Sequence, residues 1–171
     1  MRGVDVASVY LELYGRIPPL VRRAVAGVPL ERLSERPTPE ANPIAWLVWH
    51  IGRIQDDHIA ALVDEPQLWV TGDWAPRFGL EPDPSNTGFG HTPEQVASVR
   101  PESPDALLAY FDAAYARTRS LLEGLTPEAL DRVVDPRWNP PVTLGVRLVS
   151  VADDGLQHCG QAAYVKGLLG Y

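Results

Sequence analysis

Between Leu144 and Leu169 apolar residues return every three or four positions, and two polar side chains interrupt the pattern near its middle. At about 100° per residue, Leu144, Leu148, Val151, Asp154, His158, Ala162, Val165 and Leu169 share one face of a helix. Such a face has to be covered by other elements of the fold. It also carries a carboxylate, which is costly to bury unless something neutralises or pairs it. Asp153, about 100° further round, points away and reads as solvated.

Three further stretches have the same helical period. In the first, Val6, Val9, Tyr10, Leu13, Ile17, Leu20, Val21 and Ala24 form one stripe, with Pro18 and Pro19 inside it to kink or split the helix. The second opens at Asn42-Pro43, read as a cap followed by proline at the first helical position, and runs to about Val63. Its buried side is Ile44, Leu47, Val48, Ile51, Ile54 and Leu62, and Trp46 and Trp49 make its first turns apolar almost all round. The third follows the Ser103-Pro104 cap, with Leu107, Leu108, Phe111, Tyr115, Thr118, Leu122 and Leu125. Seventeen prolines and fourteen glycines crowd between these stretches and act as punctuation.

The longest connection, 64–101, holds Trp69, Trp74, Phe78 and Phe89, which weigh against disorder, and a Thr92-Pro-Glu-Gln95 cap for a short helix. The loop tryptophans read as core plugs. A second short cap, Thr126-Pro127-Glu128, precedes a loop from Asp135 to Val142, and the last helix starts near Thr143. Four long helices joined by polar connections define an all-α four-helix bundle with a long crossover loop between helices two and three, in a single domain over residues 1–171.

A net charge of −7 and the lack of a dense Lys/Arg run exclude a phosphate-binding stripe, so no nucleic-acid partner is expected. The longest apolar run, Pro43 to Trp49, is too short to span a membrane. The segment MRGVDVASVY lacks a signal-peptide pattern, and a single cysteine, Cys159, fits a reducing compartment, so a cytoplasmic protein is expected. Cys159 itself reads as a small packing residue.

An Asp and a His four residues apart on a helix project side by side and can share one ion. Bundle cores hold metal sites built from such pairs together with a residue on a facing helix. Helix two offers His58, near the centre of its stripe, and His50, on the flank beside Trp46; spacing does not separate them. Asp154 and His158 could instead hydrogen-bond each other, or Asp154 could pair with Arg147. Gln161, about one turn beyond His158, is positioned to orient its imidazole, and His91 reads as a surface residue.

The segments ANPIAWLVWHIGRIQDDH and VVDPRWNPPVTLGVRLVSVADDGLQHCGQAAYVKGLLG, at this separation, resemble the DinB-like superfamily of four-helix bundles. The likeness is strongest to the actinobacterial branch of mycothiol-dependent maleylpyruvate isomerase and mycothiol S-transferases. The resemblance implies a divalent metal held by His50, Asp154 and His158, and it selects His50 over His58. Asp154 stands where histidine or glutamate is more usual, and the common HRGQ turn appears here as HCGQ, with Cys159 in place of arginine. Zinc is the favoured ion for such a mixed set, with nickel, iron or manganese as alternatives.

What the resemblance implies for function is a metal-dependent thiol S-transferase. It would activate a low-molecular-weight thiol, mycothiol, as a metal-bound thiolate that attacks a small electrophilic substrate. Proton handling would fall to water or to a nearby group such as Asp57, and Trp46, Arg137 and Trp138 would bind substrate. Two alternatives are a hydrolase using metal-bound water and a non-enzymatic metal-binding stress-response protein. The chain ends directly after helix four, which favours a stand-alone transferase, possible as a homodimer, over the isomerases and sulfoxide synthases that carry a second domain.

Overall fold

The computed structural model describes residues 5–171; the first four residues of the N-terminal segment read above for a targeting signal lie outside them. The helices are α1 (Val6–Gly15), α2 (Ile17–Val25), α3 (Leu30–Leu33), α4 (Ile44–Val63), α5 (Leu68–Thr71), α6 (Pro93–Ser98), α7 (Pro104–Glu123) and α8 (Leu144–Leu168). The expected all-α bundle is present: α4 packs against both α7 and α8, α2 against α8, and α1 against α7. No helix among the described residues is long and apolar enough to cross a membrane.

The first helix splits at Arg16, as its prolines require. Pro18 and Pro19 occupy the first turn of α2, where missing N–H donors cost nothing, and the ladder of α1 stops before them. The break turns the buried face. Tyr14, outside the expected stripe, is fully buried and donates its hydroxyl to the Leu148 carbonyl at 2.6 Å, whereas Val9, inside the stripe, is exposed.

α4 is enclosed on every side over its first turns: Pro43 through Arg53 are all buried. Asn42 does not cap it. Pro43 takes the cap position in extended conformation, and its carbonyl accepts from Leu47 N at 3.0 Å. Thr92, Ser103 and Thr143 do cap α6, α7 and α8, and Thr92 with Gln95 forms a reciprocal capping box.

The crossover between α4 and α7 is an ordered layer. Trp69 and Phe78 are fully buried, each within 6 Å, ring centre to ring centre, of Tyr110 on α7. Trp74 is half-buried against the same tyrosine, and only Phe89 stands out in solvent. Arg53 fastens this layer to the bundle. Its guanidinium, wholly buried, donates to the carbonyls of Asn86 and Pro84, to Gln67 Oε1, to Tyr110 Oη and to Asp56 Oδ2. Asp56 in turn accepts the backbone N–H groups of Leu68 and Trp69 at the start of α5. A charge pair with so many partners meets the condition under which burial of ions is tolerated.

The connection before α8 is a small antiparallel hairpin, β1 (Val133–Asp135) with β2 (Val142–Thr143), where the sequence suggested loop alone. Two- and three-residue strands carry too little alternation to be seen by pattern.

Candidate metal centre

α8 presents a more offset face than its periodicity implies. The line pressed into the core is Leu148, Val151, Ala152, Gly155, Cys159 and Ala162, with Gly155 leaving room for Ile17, whose Cδ1 would stand 3.1 Å from an added Cβ. Asp154 and His158 therefore lie beside the buried line, half-buried, at the seam with α4. Packing decides this rotation, because the small residues Ala152, Gly155 and Cys159 allow the closest approach. Cys159 is a packing residue, and burial pushes its thiol up to about 12.

His50, Asp154 and His158 come together there, with one donor atom from each lying within 4.8 Å of the others. Asp154 Oδ1 stands 3.4 Å from His158 Nε2 and 3.7 Å from His50 Nε2. The far side of each imidazole is fixed by an acceptor. His50 Nδ1–H donates to the Thr87 carbonyl at 2.6 Å, and His158 Nδ1–H donates to Gln161 Oε1 at 2.8 Å. Both Nε2 atoms accordingly turn lone pairs toward the carboxylate.

Three sets of lone pairs facing one another need a cation between them. Burial opposes ionisation of Asp154, but with a proton on the imidazoles of His158 and His50 their hydrogen bonds and charge outweigh it and hold its carboxyl well below the usual range. For His158, burial is likewise outweighed by Asp154 and Gln161, and its affinity for a proton is raised. The second oxygen, Asp154 Oδ2, is buried and has no hydrogen-bond partner. Ligands of an ion with bonds of 2.0–2.2 Å sit about 3.4 Å apart in a tetrahedral shell, close to the two spacings that Asp154 makes with the imidazoles. Two imidazole nitrogens and a carboxylate suit zinc and other borderline divalent ions, so the residues fit a metal.

The crossover completes the surroundings. Trp46 stacks on His50, with ring centres 4.8 Å apart and planes 13° from parallel. Its indole N–H donates to His91 Nδ1, and His91 Nε2–H donates to Asn86 Oδ1. His91 is thus a half-buried member of the wall, stacked on Trp49, and not the surface residue its loop position suggested. Gly88, at φ +95°, passes so close that an added Cβ would meet His50 Nδ1 at 2.8 Å and Trp46 and Trp49 at 3.0 Å.

Other sequence candidates lie elsewhere. His58 is not in the cluster; burial and the charge of Arg147 hold it below the usual histidine range. Arg147 does not pair with Asp154. Its Nη2 donates to Asp135 Oδ2 at 3.2 Å, because Asp135 at the end of β1 is nearer and better buried. Asp57 is also outside the cluster, with Oδ1 accepting from Gln67 Nε2 and Oδ2 3.7 Å from His58 Nδ1. Asp57, His58, Arg137, Trp138 and Arg147 instead border a cleft of about 770 Å³ at the same α4–α8 seam. Arg147 precedes Asp154 by two helical turns, so the cleft begins about 10 Å along α8 from the cluster.

Sequence reasoning missed Arg53, Thr87, Gly88 and Asp135. An arginine within an apolar run was a usable signal for Arg53, and the TGFGH stretch one for Gly88; Thr87 acts through its backbone and left none.

The family profile of the DinB superfamily matches residues 14–162. A crystal structure of a conserved protein from Enterococcus faecalis superposes with a TM-score of 0.90 at 33% identity, covering 97% of this chain and 98% of that one. No curated protein matches the chain. The chain belongs to the DinB superfamily.

Proposed function

We propose that this protein is a metal-dependent thiol S-transferase that joins a low-molecular-weight thiol of the mycothiol class to a small electrophile. The observation that carries the reading is the convergence of two fixed imidazole Nε2 atoms on Asp154, whose second oxygen has no partner. A divalent ion held by His50, Asp154 and His158 supplies a Lewis acid that lowers the pKa of a thiol beside it. Among the described residues three protein ligands converge, and structural zinc sites usually have four. That favours a centre open to an exchangeable ligand over a purely structural one.

The chain's own residues do the remaining work. Thr87 and Gln161 hold the two imidazoles in the tautomer that offers Nε2. Trp46 covers one face of His50 and keeps water from it. Arg137 and Trp138, on the rim of the neighbouring cleft, receive the substrate, and the proton-accepting role falls to Asp57, which borders that cleft with His58.

The test is to load the purified protein with cobalt(II) and titrate it with mycothiol and with N-acetylcysteine. Intense sulfur-to-cobalt absorption in the near ultraviolet supports the reading. An unchanged spectrum with cobalt retained overturns it and leaves water chemistry as the alternative.

A further inference from the structure

The cleft at the α4–α8 seam has a chemistry distinct from that of the metal centre. Three arginines border it, Arg132, Arg137 and Arg147, with two carboxylates, Asp57 and Asp135. On a chain of net charge −7 this is a local excess of one positive charge.

These guanidinium groups differ from that of Arg53. Each guanidinium carries five N–H donors. Arg53 finds acceptors in five separate groups and has no reach left for a ligand. Arg137 spends only Nε and one Nη on Asp135, Arg147 makes two contacts, to Asp135 and His58, and Arg132 makes one, to the Leu62 carbonyl. The three therefore keep most of their donors free at the cleft, while Asp135 anchors Arg137 and Arg147 in place. Beside them the indole of Trp138 is 62% exposed and offers an apolar surface at the edge of the cleft.

We propose that this cleft binds one carboxylate group of a small molecule whose flat or apolar portion lies against Trp138. Free guanidinium donors suit the fork geometry of a carboxylate. A single excess positive charge matches a monoanion, and the two resident carboxylates repel a phosphate dianion. The identification of that molecule as the electrophile rests on the S-transfer reading; the binding itself does not.

The test uses metal-free protein and three matched probes: 3-phenylpropionate, 3-phenylpropanamide and phenyl phosphate. Binding is followed by shifts of the Trp138 indole and the arginine Nε–H resonances. The acid is expected to shift Trp138 and Arg147, to bind at least about tenfold more tightly than the amide, and to weaken with added salt. Arg137→Gln, on a side chain 84% exposed and hence safe for folding, is expected to weaken the acid and not the amide, as is Arg147→Gln. Equal affinity for acid and amide, tighter binding of the phosphate, or an unshifted Trp138 each overturn the proposal. These outcomes are read without the metal, so they stand apart from the cobalt experiment.

Discussion

Asp154 Oδ1 and His158 Nε2 face each other at 3.4 Å across one turn of α8, and the hydrogen bond on the other side of the imidazole leaves that nitrogen without a proton to offer. A proton or a metal ion must lie between them, and the two compete. Zinc binding is therefore expected to weaken as pH falls. Because Asp154 and Gln161 raise the proton affinity of His158, the loss begins above the usual histidine value of about 6.5. Elemental analysis after equilibration from pH 8 to pH 5 measures it, with about one ion per chain at the upper end. His158→Ala and His50→Ala are expected to abolish stoichiometric binding; full occupancy in either variant would remove it from the ligand set.

Arg53→Met tests the fastening of the crossover. The substitution leaves Asp56 buried with its charge less compensated, leaves the Asn86 carbonyl without its donor and reduces Pro84's to the one from Gln67. A loss of about 3 kcal/mol of stability is expected, by denaturant titration. Amides of the Asn86–His91 segment are expected to exchange faster than those of the α7–α8 core.

Gly88→Ala acts on the ligand directly. The left-handed backbone there costs any other residue about 1–3 kcal/mol, and the new Cβ would press on His50 Nδ1. Zinc affinity and thermal stability should both fall, while Gly90→Ala, with open space around its Cβ, should cost stability alone. Competition with a chromophoric chelator separates the two effects.

Cys159 is expected to be silent toward thiol reagents. It is buried in the α8 packing line and its thiol is raised to about 12, so the thiolate is scarce near pH 8. Labelling by an aromatic disulfide should be limited by unfolding and become fast in denaturant. Rapid labelling of the native protein would show that this part of α8 opens.

Helical period located the long helices and the Asp154–His158 pair, because burial of one face imposes that period, and the prolines at 18 and 19 marked the split. It placed Val9 inside and Tyr14 outside, the reverse of what is found, since the break at Arg16 turns α1 relative to α2. It could not choose between His50 and His58. The choice depends on the antiparallel run of α4 against α8, which sets His50 beside Asp154 and His58 beside Arg147. The Thr87 carbonyl and the wall role of His91 were illegible for a different reason: they depend on how the crossover docks, and backbone acceptors carry no residue signature.

The acceptor that orients His50 comes from the crossover, while its partners in the cluster come from the last helix. Neither the crossover nor the last helix alone contains the whole arrangement. The three ligand atoms and their acceptor therefore converge only when the crossover is closed over α4 and α8 is packed beside it. By mass action an ion bound there would oppose every partial opening of those segments, so the metal supply of the cell would set how long the finished chain survives proteases.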